Sequence, residues 1–334
     1  MNALTQHGSL DRAKVLITGG LGFIGSNLVH ACVEAGAEVT VFDCLDPRSG
    51  GNMANLDGVR EKVRLAFHDI QDFDRVSRHV VGKDAVFNCA ASTSHPFSMR
   101  EPWLDQDINC TGTINLLEAI RRFNPAARLV HVGTTTQLGP LHYTPADEHH
   151  PEFPTDIYSA NKSVSEKYVL IYARSHGLNA TVARISNTYG PRAAIHSTEF
   201  TFNNYFVGLA LQNKAITVYG DGAQQRNVIF VGDAVEGLLA LGRHPAARGE
   251  TFFVVGDEHF NVAEIARLTV EAMGAGEVRH VDWPVDRKKT DVGDAIISNA
   301  KIKKTIGWSP RVDLRAGLAE TKRFYAAHLN DYLR

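Results

Sequence analysis

A short apolar run, Lys14–Thr18, leads straight into the string Thr18-Gly19-Gly20-Leu21-Gly22-Phe23-Ile24-Gly25, and Leu28, Val29 and Val33 follow at helical spacing. A strand, a glycine turn and a helix in that order predict a parallel βαβ unit. Gly19 permits the tight turn, Gly22 lets the backbone approach a pyrophosphate, and Gly25 allows the helix to pack closely on the strand. The phosphates of a dinucleotide would then sit at the positive end of the helix. Gly19, Gly22, Phe23, Ile24 and Gly25 are therefore candidate cofactor-binding residues. The next apolar run, Glu38–Asp43, ends in an acid that can accept hydrogen bonds from a ribose diol and would repel a 2′-phosphate, which favours NAD over NADP. Arg48 is close enough to Asp43 in sequence to hold such a phosphate instead.

Strand-like runs at Val15–Thr18, Val39–Asp43, Val63–Phe67, Ala85–Ala90, Leu129–Val132 and Thr181–Ile185 alternate with amphipathic stretches, notably Asn109–Arg122 and Tyr158–Ser175. That alternation predicts an α/β fold, a doubly wound parallel sheet of Rossmann type with a smaller C-terminal lobe. Residues 1–185 would form the dinucleotide-binding domain and 186–334 mainly the lobe. Segments near 226–256 would return to the first domain, with a last strand at Thr251–Val255. With 334 residues, 44% of them hydrophobic, the chain can bury a large core. Its net charge of −2 gives no electrostatic case for nucleic acid or an anionic membrane. No apolar run approaches the ~20 residues of a membrane span, and the start lacks the apolar centre of a secretory signal. Cys32, Cys44, Cys89 and Cys110 stand singly, so no metal site is expected, and a reducing, cytoplasmic compartment is.

Tyr158 and Lys162 lie one helical turn apart, on one face. A tyrosine is a poor base near neutrality unless a cation favours its phenolate, and Lys162 is placed to do this. Thr134, with Thr135 and Thr136, follows the run Leu129–Val132 and so falls at the carboxyl edge of the sheet, where ligands bind in open α/β folds. A hydroxyl there can hold the oxygen that Tyr158 deprotonates. Cradle, phenol, ammonium and hydroxyl together describe hydride transfer. A non-catalytic nucleotide-binding protein on this fold would lack one of Tyr158, Lys162 or Thr134, and all three are present.

These residues resemble the extended short-chain dehydrogenase/reductases that act on nucleotide-sugars, and the resemblance covers nearly the whole chain. It implies that Asp69 and Ile70, Ala90, and Asn109 also line the cofactor. It assigns Asn187 and Asn204 to the sugar pocket, with Arg226 and Arg287 as candidates for the substrate diphosphate. His95, in a loop that departs from the family's epimerase pattern, could reach the sugar or act as an acid/base. The family's dehydratases carry an Asp-Glu pair at Thr135 and Thr136, and its decarboxylases a glutamate at the Thr136 position. Three threonines instead look like a 4-epimerase, acting on a UDP-hexose or UDP-hexuronic acid. A 4,6-dehydratase or 4-ketoreductase of the same family is the alternative. The helix opened by Asn109 usually packs in the family's dimer, so a homodimer is expected.

Overall fold

The computed structural model describes residues 10–284 and 292–333. The strands are β1 (Lys14–Thr18), β2 (Glu38–Asp43), β3 (Arg64–Phe67), β4 (Ala85–Asn88), β5 (Arg128–Thr134), β6 (Asn179–Ile185), β7 (Asn187–Tyr189), β8 (Ala215–Tyr219), β9 (Gln225–Phe230), β10 (Thr251–Val254), β11 (His259–Asn261) and β12 (Glu277–Val281). The helices are α1 (Phe23–Glu34), α2 (Phe73–Val80), α3 (His95–Arg100), α4 (Pro102–Gln106), α5 (Gly112–Phe123), α6 (Ile157–Ser175), α7 (Phe202–Leu211), α8 (Val231–Arg243), α9 (Val262–Met273), α10 (Ala300–Ile306) and α11 (Leu314–Tyr332).

Seven strands form one sheet in the order β10-β6-β5-β4-β1-β2-β3. Every pairing in it is parallel, with Val15 beside Val39 on one side of β1 and Ala85 on the other. Strand order reverses between β1 and β4, which opens a crevice at the carboxyl ends of the strands. β5 is buried along its whole length, as a central parallel strand must be. Its side chains alternate between faces. Val130 and Val132 join Leu28, Val29, Leu238 and Leu241 from α1 and α8. Leu129 joins Leu116, Leu117, Ile120 and Val169 from α5 and α6. Two helical layers thus cover the sheet, and each fully buried Val or Leu contributes ~1.5–3 kcal/mol.

Outside the large sheet the chain forms a three-stranded sheet β11-β9-β7 and the pair β12-β8. β10 returns to the large sheet beside β6, whereas Gln225–Phe230 pairs in the three-stranded sheet. Past Asn88, Cys89 N–H still donates to Thr18 O of β1, and Ala90 N–H turns to the Thr18 side chain at Oγ1. Among the described residues, no helix is long and apolar enough to cross a membrane.

Candidate functional site

The glycine string makes a cradle that larger residues could not form. Gly19 has φ +67°, and a Cβ there would lie 2.7 Å from the backbone of Cys89 and Ala90. At Gly25 a Cβ would meet Gly19 O at 2.1 Å. α1 therefore starts hard against the end of β1. Its N-cap, Gly22, has no side-chain cap, and the first turn carries no acid. The positive helix end is left for an anion.

Asp43 ends β2, where Oδ2 accepts from Leu21 N–H at 2.9 Å and Oδ1 from Leu45 N–H at 2.8 Å. Burial raises its pKa, while those two N–H groups work in the opposite direction. Each oxygen keeps a lone pair for a further donor. Arg48 is engaged by Asp46 at 2.6 Å. Asp69 follows β3 and accepts from Gln71 N–H at 2.8 Å. Ile70 is buried beneath α5, and its carbonyl accepts from Asn115 Nδ2 at 3.2 Å.

Asn109 sits in a π-helical turn, Asp107–Thr111, and α5 begins only at Gly112. Such turns break regular helix where side chains are re-aimed. Here Asn109 Nδ2 donates to Ser92 O and to Asp105 Oδ1, both at 3.0 Å. Asp105, fully buried, also accepts from Asn161 of α6 at 2.8 Å. Asn109 Oδ1 and Asp105 Oδ2 are buried without a hydrogen-bond partner among the described residues. Orphaned polar atoms in a buried position call for a polar ligand.

α6 carries Tyr158 and Lys162 on its buried face, starting from an N-cap at Asp156 whose Oδ1 accepts from Ser159 N–H at 2.8 Å. The Tyr158 N–H is taken by Ser98 Oγ at 3.0 Å, which ties α6 to α3. Lys162 does not direct its ammonium at the phenol. Nζ donates to Val132 O at 2.6 Å and lies 3.4 Å from His131 Nε2. Burial lowers the Lys162 pKa to about 8, against the opposing pull of Cys89, Cys110, Glu166 and Asp105. His131 is held neutral by burial and by Lys162.

Burial pushes the Tyr158 phenol up, and a hydrogen bond with Thr134 lowers it in part. Sequence reasoning expected that relief from Lys162. Thr134 contributes to that relief as well, while the Lys162 ammonium is held at the β5 backbone by Val132 O.

The threonine run continues the network: Thr134 Oγ1 and Thr136 Oγ1 are 3.1 Å apart, and Ser159 Oγ donates to Thr136 Oγ1 at 2.9 Å. Thr135 is buried beside them. His95 is not in a loop but opens α3, capped by Ser94. Its ring stands edge-on to Tyr158, with centroids 4.9 Å apart, and Nδ1 meets Asp156 Oδ2 at 2.7 Å.

Sequence reasoning missed Asp156, Ser159, Ser98 and Asp105. The one available signal was an aspartate just before a helix, the mark of an N-cap.

The lobe residues are more dispersed. Asn187 starts β7 and donates to Asn227 O at 3.3 Å. Asn204 is buried and commits its amide to Thr188 O, Thr201 Oγ1 and Gly190 N–H, which pins β7 to α7. Arg226, on β9, donates to Gly293 O at 2.6 Å. Arg287 lies outside the described residues.

A family model described as GDP-mannose 4,6 dehydratase matches residues 16–321. A dTDP-glucose 4,6-dehydratase from Actinoplanes is 33% identical over 94% of this chain and 98% of its own. UDP-glucuronic acid decarboxylase 1 from Xenopus tropicalis is 32% identical over 96% of this chain and 73% of its own. Among solved structures, the UDP-glucose 4-epimerase of Thermus thermophilus in complex with NAD superposes with a TM-score of 0.82. It is 29% identical and covers 94% of this chain and 99% of that one.

Proposed function

Because the chain belongs to the nucleotide-sugar epimerase/dehydratase family of the extended short-chain dehydrogenase/reductases, we propose that it is an NAD-dependent epimerase inverting C4 of a UDP-hexose or UDP-hexuronic acid. The observation that carries this reading is the hydroxyl run at the end of β5. Thr134 bonds the Tyr158 phenol, and Thr135 and Thr136 place no carboxylate where elimination or decarboxylation would use one. Relatives carry names of all three reaction types, so the epimerase reading rests on this run.

The cradle fits NAD. Gly19, Gly22, Phe23, Ile24 and Gly25 leave backbone and space for a pyrophosphate, Asp43 keeps lone pairs for a ribose diol, and Asn109 offers an orphaned oxygen. Asp69, Ile70 and Ala90 complete the proposed cofactor wall. When bound, NAD supplies the hydride acceptor for C4 and the donor for its return.

Tyr158 takes the proton of the 4-hydroxyl, and Thr134 orients that oxygen. Lys162 would hold the nicotinamide ribose and supply positive field. The flat 4-keto sugar would then turn within the pocket, and Tyr158 would return the proton to the oxygen at C4. Arg226 and Arg287 anchor the diphosphate, and Asn187 lines the sugar pocket.

One feature favours a 4,6-dehydratase instead, namely His95 paired with Asp156 beside Tyr158, since elimination needs such an acid–base group. A homodimer is supported by Val164 and Ile171, exposed two turns apart on one face of α6.

The test is incubation of NAD-loaded protein with UDP-, GDP-, CDP- and dTDP-sugars, with products resolved by NMR. A C4 epimer without accumulation of reduced nicotinamide is expected. A dehydrated or decarboxylated product overturns the epimerase reading.

A further inference from the structure

The carbonyl of Leu21, in the middle of the glycine string, accepts two hydrogen bonds, from Asn55 Nδ2 at 2.7 Å and from Asn52 N–H at 3.0 Å. Asn52 caps a single 3₁₀ turn, Met53–Leu56, and Asn55 lies within it. Both asparagines are held in turn by the last turn of α11. Tyr332 Oη donates to Asn55 Oδ1 at 2.6 Å, across 277 residues of sequence, and Asn52 Nδ2 donates to Asp331 O at 2.8 Å. The Asn55 carbonyl is taken by His30 Nε2 of α1 at 2.9 Å. Leu21 and Asn55 are fully buried and Tyr332 is 3% exposed, so water does not stand in for a lost bond here. α11 already packs through Leu314, Leu318 and Tyr325, and the two polar ties add position rather than bulk.

Leu21 passes that position to the cofactor side. Its N–H donates to Asp43 Oδ2 at 2.9 Å. Its carbonyl shares a peptide plane with the N–H of Gly22, the N-cap of α1. Rotation of that plane would swing the Gly22 N–H off Gly19 O, which it meets at 3.1 Å. The set of the turn therefore depends on what grips the Leu21 carbonyl.

We propose that the last turn of α11 clamps the dinucleotide cradle, with Tyr332 as a positioning residue that sets NAD affinity through Asn55 and Leu21. The inference rests on the reading of the glycine string as the NAD site. Without the Tyr332 hydroxyl, Asn55 Oδ1 is a buried acceptor with no donor. Turning the amide to recover one takes Nδ2 away from Leu21 O. The Leu21–Gly22 peptide then samples orientations in which the start of α1 is no longer set for a pyrophosphate. NAD binds only the competent fraction, and its apparent affinity falls with that fraction.

The test uses the full chain. Tyr332→Phe keeps the ring and removes the hydroxyl, and calorimetric titration should show NAD affinity lowered ~10-fold, as for a competent population of about a tenth. Hydrogen exchange of the Leu21 N–H, followed by NMR in the apo-protein, should quicken by a similar ~10-fold. Asn52→Ser, at a half-buried position, keeps an oxygen to cap the 3₁₀ turn and removes the donor to Asp331 O. It should shift both readings in the same direction. Tyr325→Phe is the control, since Tyr325 Oη donates to Ala193 O at 2.7 Å, outside the glycine string. It removes a buried hydroxyl from the same helix and should leave NAD affinity and Leu21 exchange at wild-type values. Wild-type readings in both Tyr332→Phe and Asn52→Ser overturn the clamp. An equal loss in Tyr325→Phe also overturns it, because α11 would then act by packing alone. A wild type that does not bind NAD overturns the reading of the string itself, which separates that failure from failure of the clamp.

Discussion

Two alanine substitutions in the glycine string should fail in opposite ways. At Gly25 the added Cβ would lie 2.1 Å from Gly19 O, 2.8 Å from Gly19 C and 2.9 Å from Gly20 Cα. All three are backbone atoms of the turn, so none can rotate aside. Relief requires α1 to move off β1, against packing by Leu28 and Val29. Forcing a methyl into a filled site costs ~1–3 kcal/mol, and a backbone-only clash belongs at the upper end. At Gly22 the sole close atom is Gly19 O at 3.3 Å, and φ −78°, ψ 179° is backbone that alanine adopts freely. Its stability should stay within ~1 kcal/mol of wild type, since a weaker N-cap offsets a stiffer unfolded chain. The Gly22 methyl would instead occupy the approach to the helix N-terminus, and NAD binding should weaken by ~10-fold or more, or ~1.4 kcal/mol per factor of ten. Urea unfolding of the apo-protein and calorimetric titration with NAD measure the two effects. The reasoning is refuted if Gly25→Ala unfolds at the wild-type midpoint, or if Gly22→Ala binds NAD as wild type does.

Glu166 and Arg184 form a bidentate pair with side chains 1% and 3% exposed. Glu166→Ala leaves that guanidinium with one partner fewer in the interior and should cost ~3–5 kcal/mol in urea unfolding. A loss below ~1 kcal/mol contradicts this. Asp43→Ala should weaken NAD binding and narrow the preference over NADP, and titration with both cofactors decides whether Arg48 is the true phosphate ligand. Lys162→Met removes a charge whose burial lowers its pKa to about 8. Below that pH the wild type carries the penalty of a buried charge. The unfolded state then binds more protons as pH rises from about 8 toward ~10.4, so wild-type stability climbs over that window. The variant's apo-form should therefore be more stable at neutral pH by up to ~3 kcal/mol, with the gain shrinking across that window. A constant difference across pH would refute it.

The parts of the fold legible in the sequence were those set by local pattern. The strands of the large sheet read as apolar runs, the Gly19–Gly25 turn as a cradle, and β10 as a late strand that the structure places beside β6. Positions set by contacts between distant segments were not legible. Nothing near Asn109 announces a π-helical turn, and its contact with Ser92 joins residues well apart in the chain. His95 lies far in sequence from Asp156, so their pairing had no local mark. Lys162 reads as a partner for Tyr158 from helical spacing alone, yet its long side chain finds Val132 O first. Thr134, which eases the phenol's burial in part, comes from β5, and spacing along α6 could not reveal it.

The central claim is that C4 is oxidised and then reduced on the same sugar, with nothing expelled. A cognate nucleotide-sugar carrying deuterium at C4 tests this directly by mass spectrometry and NMR of the product. The account predicts an isomer of unchanged mass, inverted at C4, with the deuterium still on C4. A product lighter by water or carbon dioxide, or one with the deuterium moved to another carbon, would contradict it.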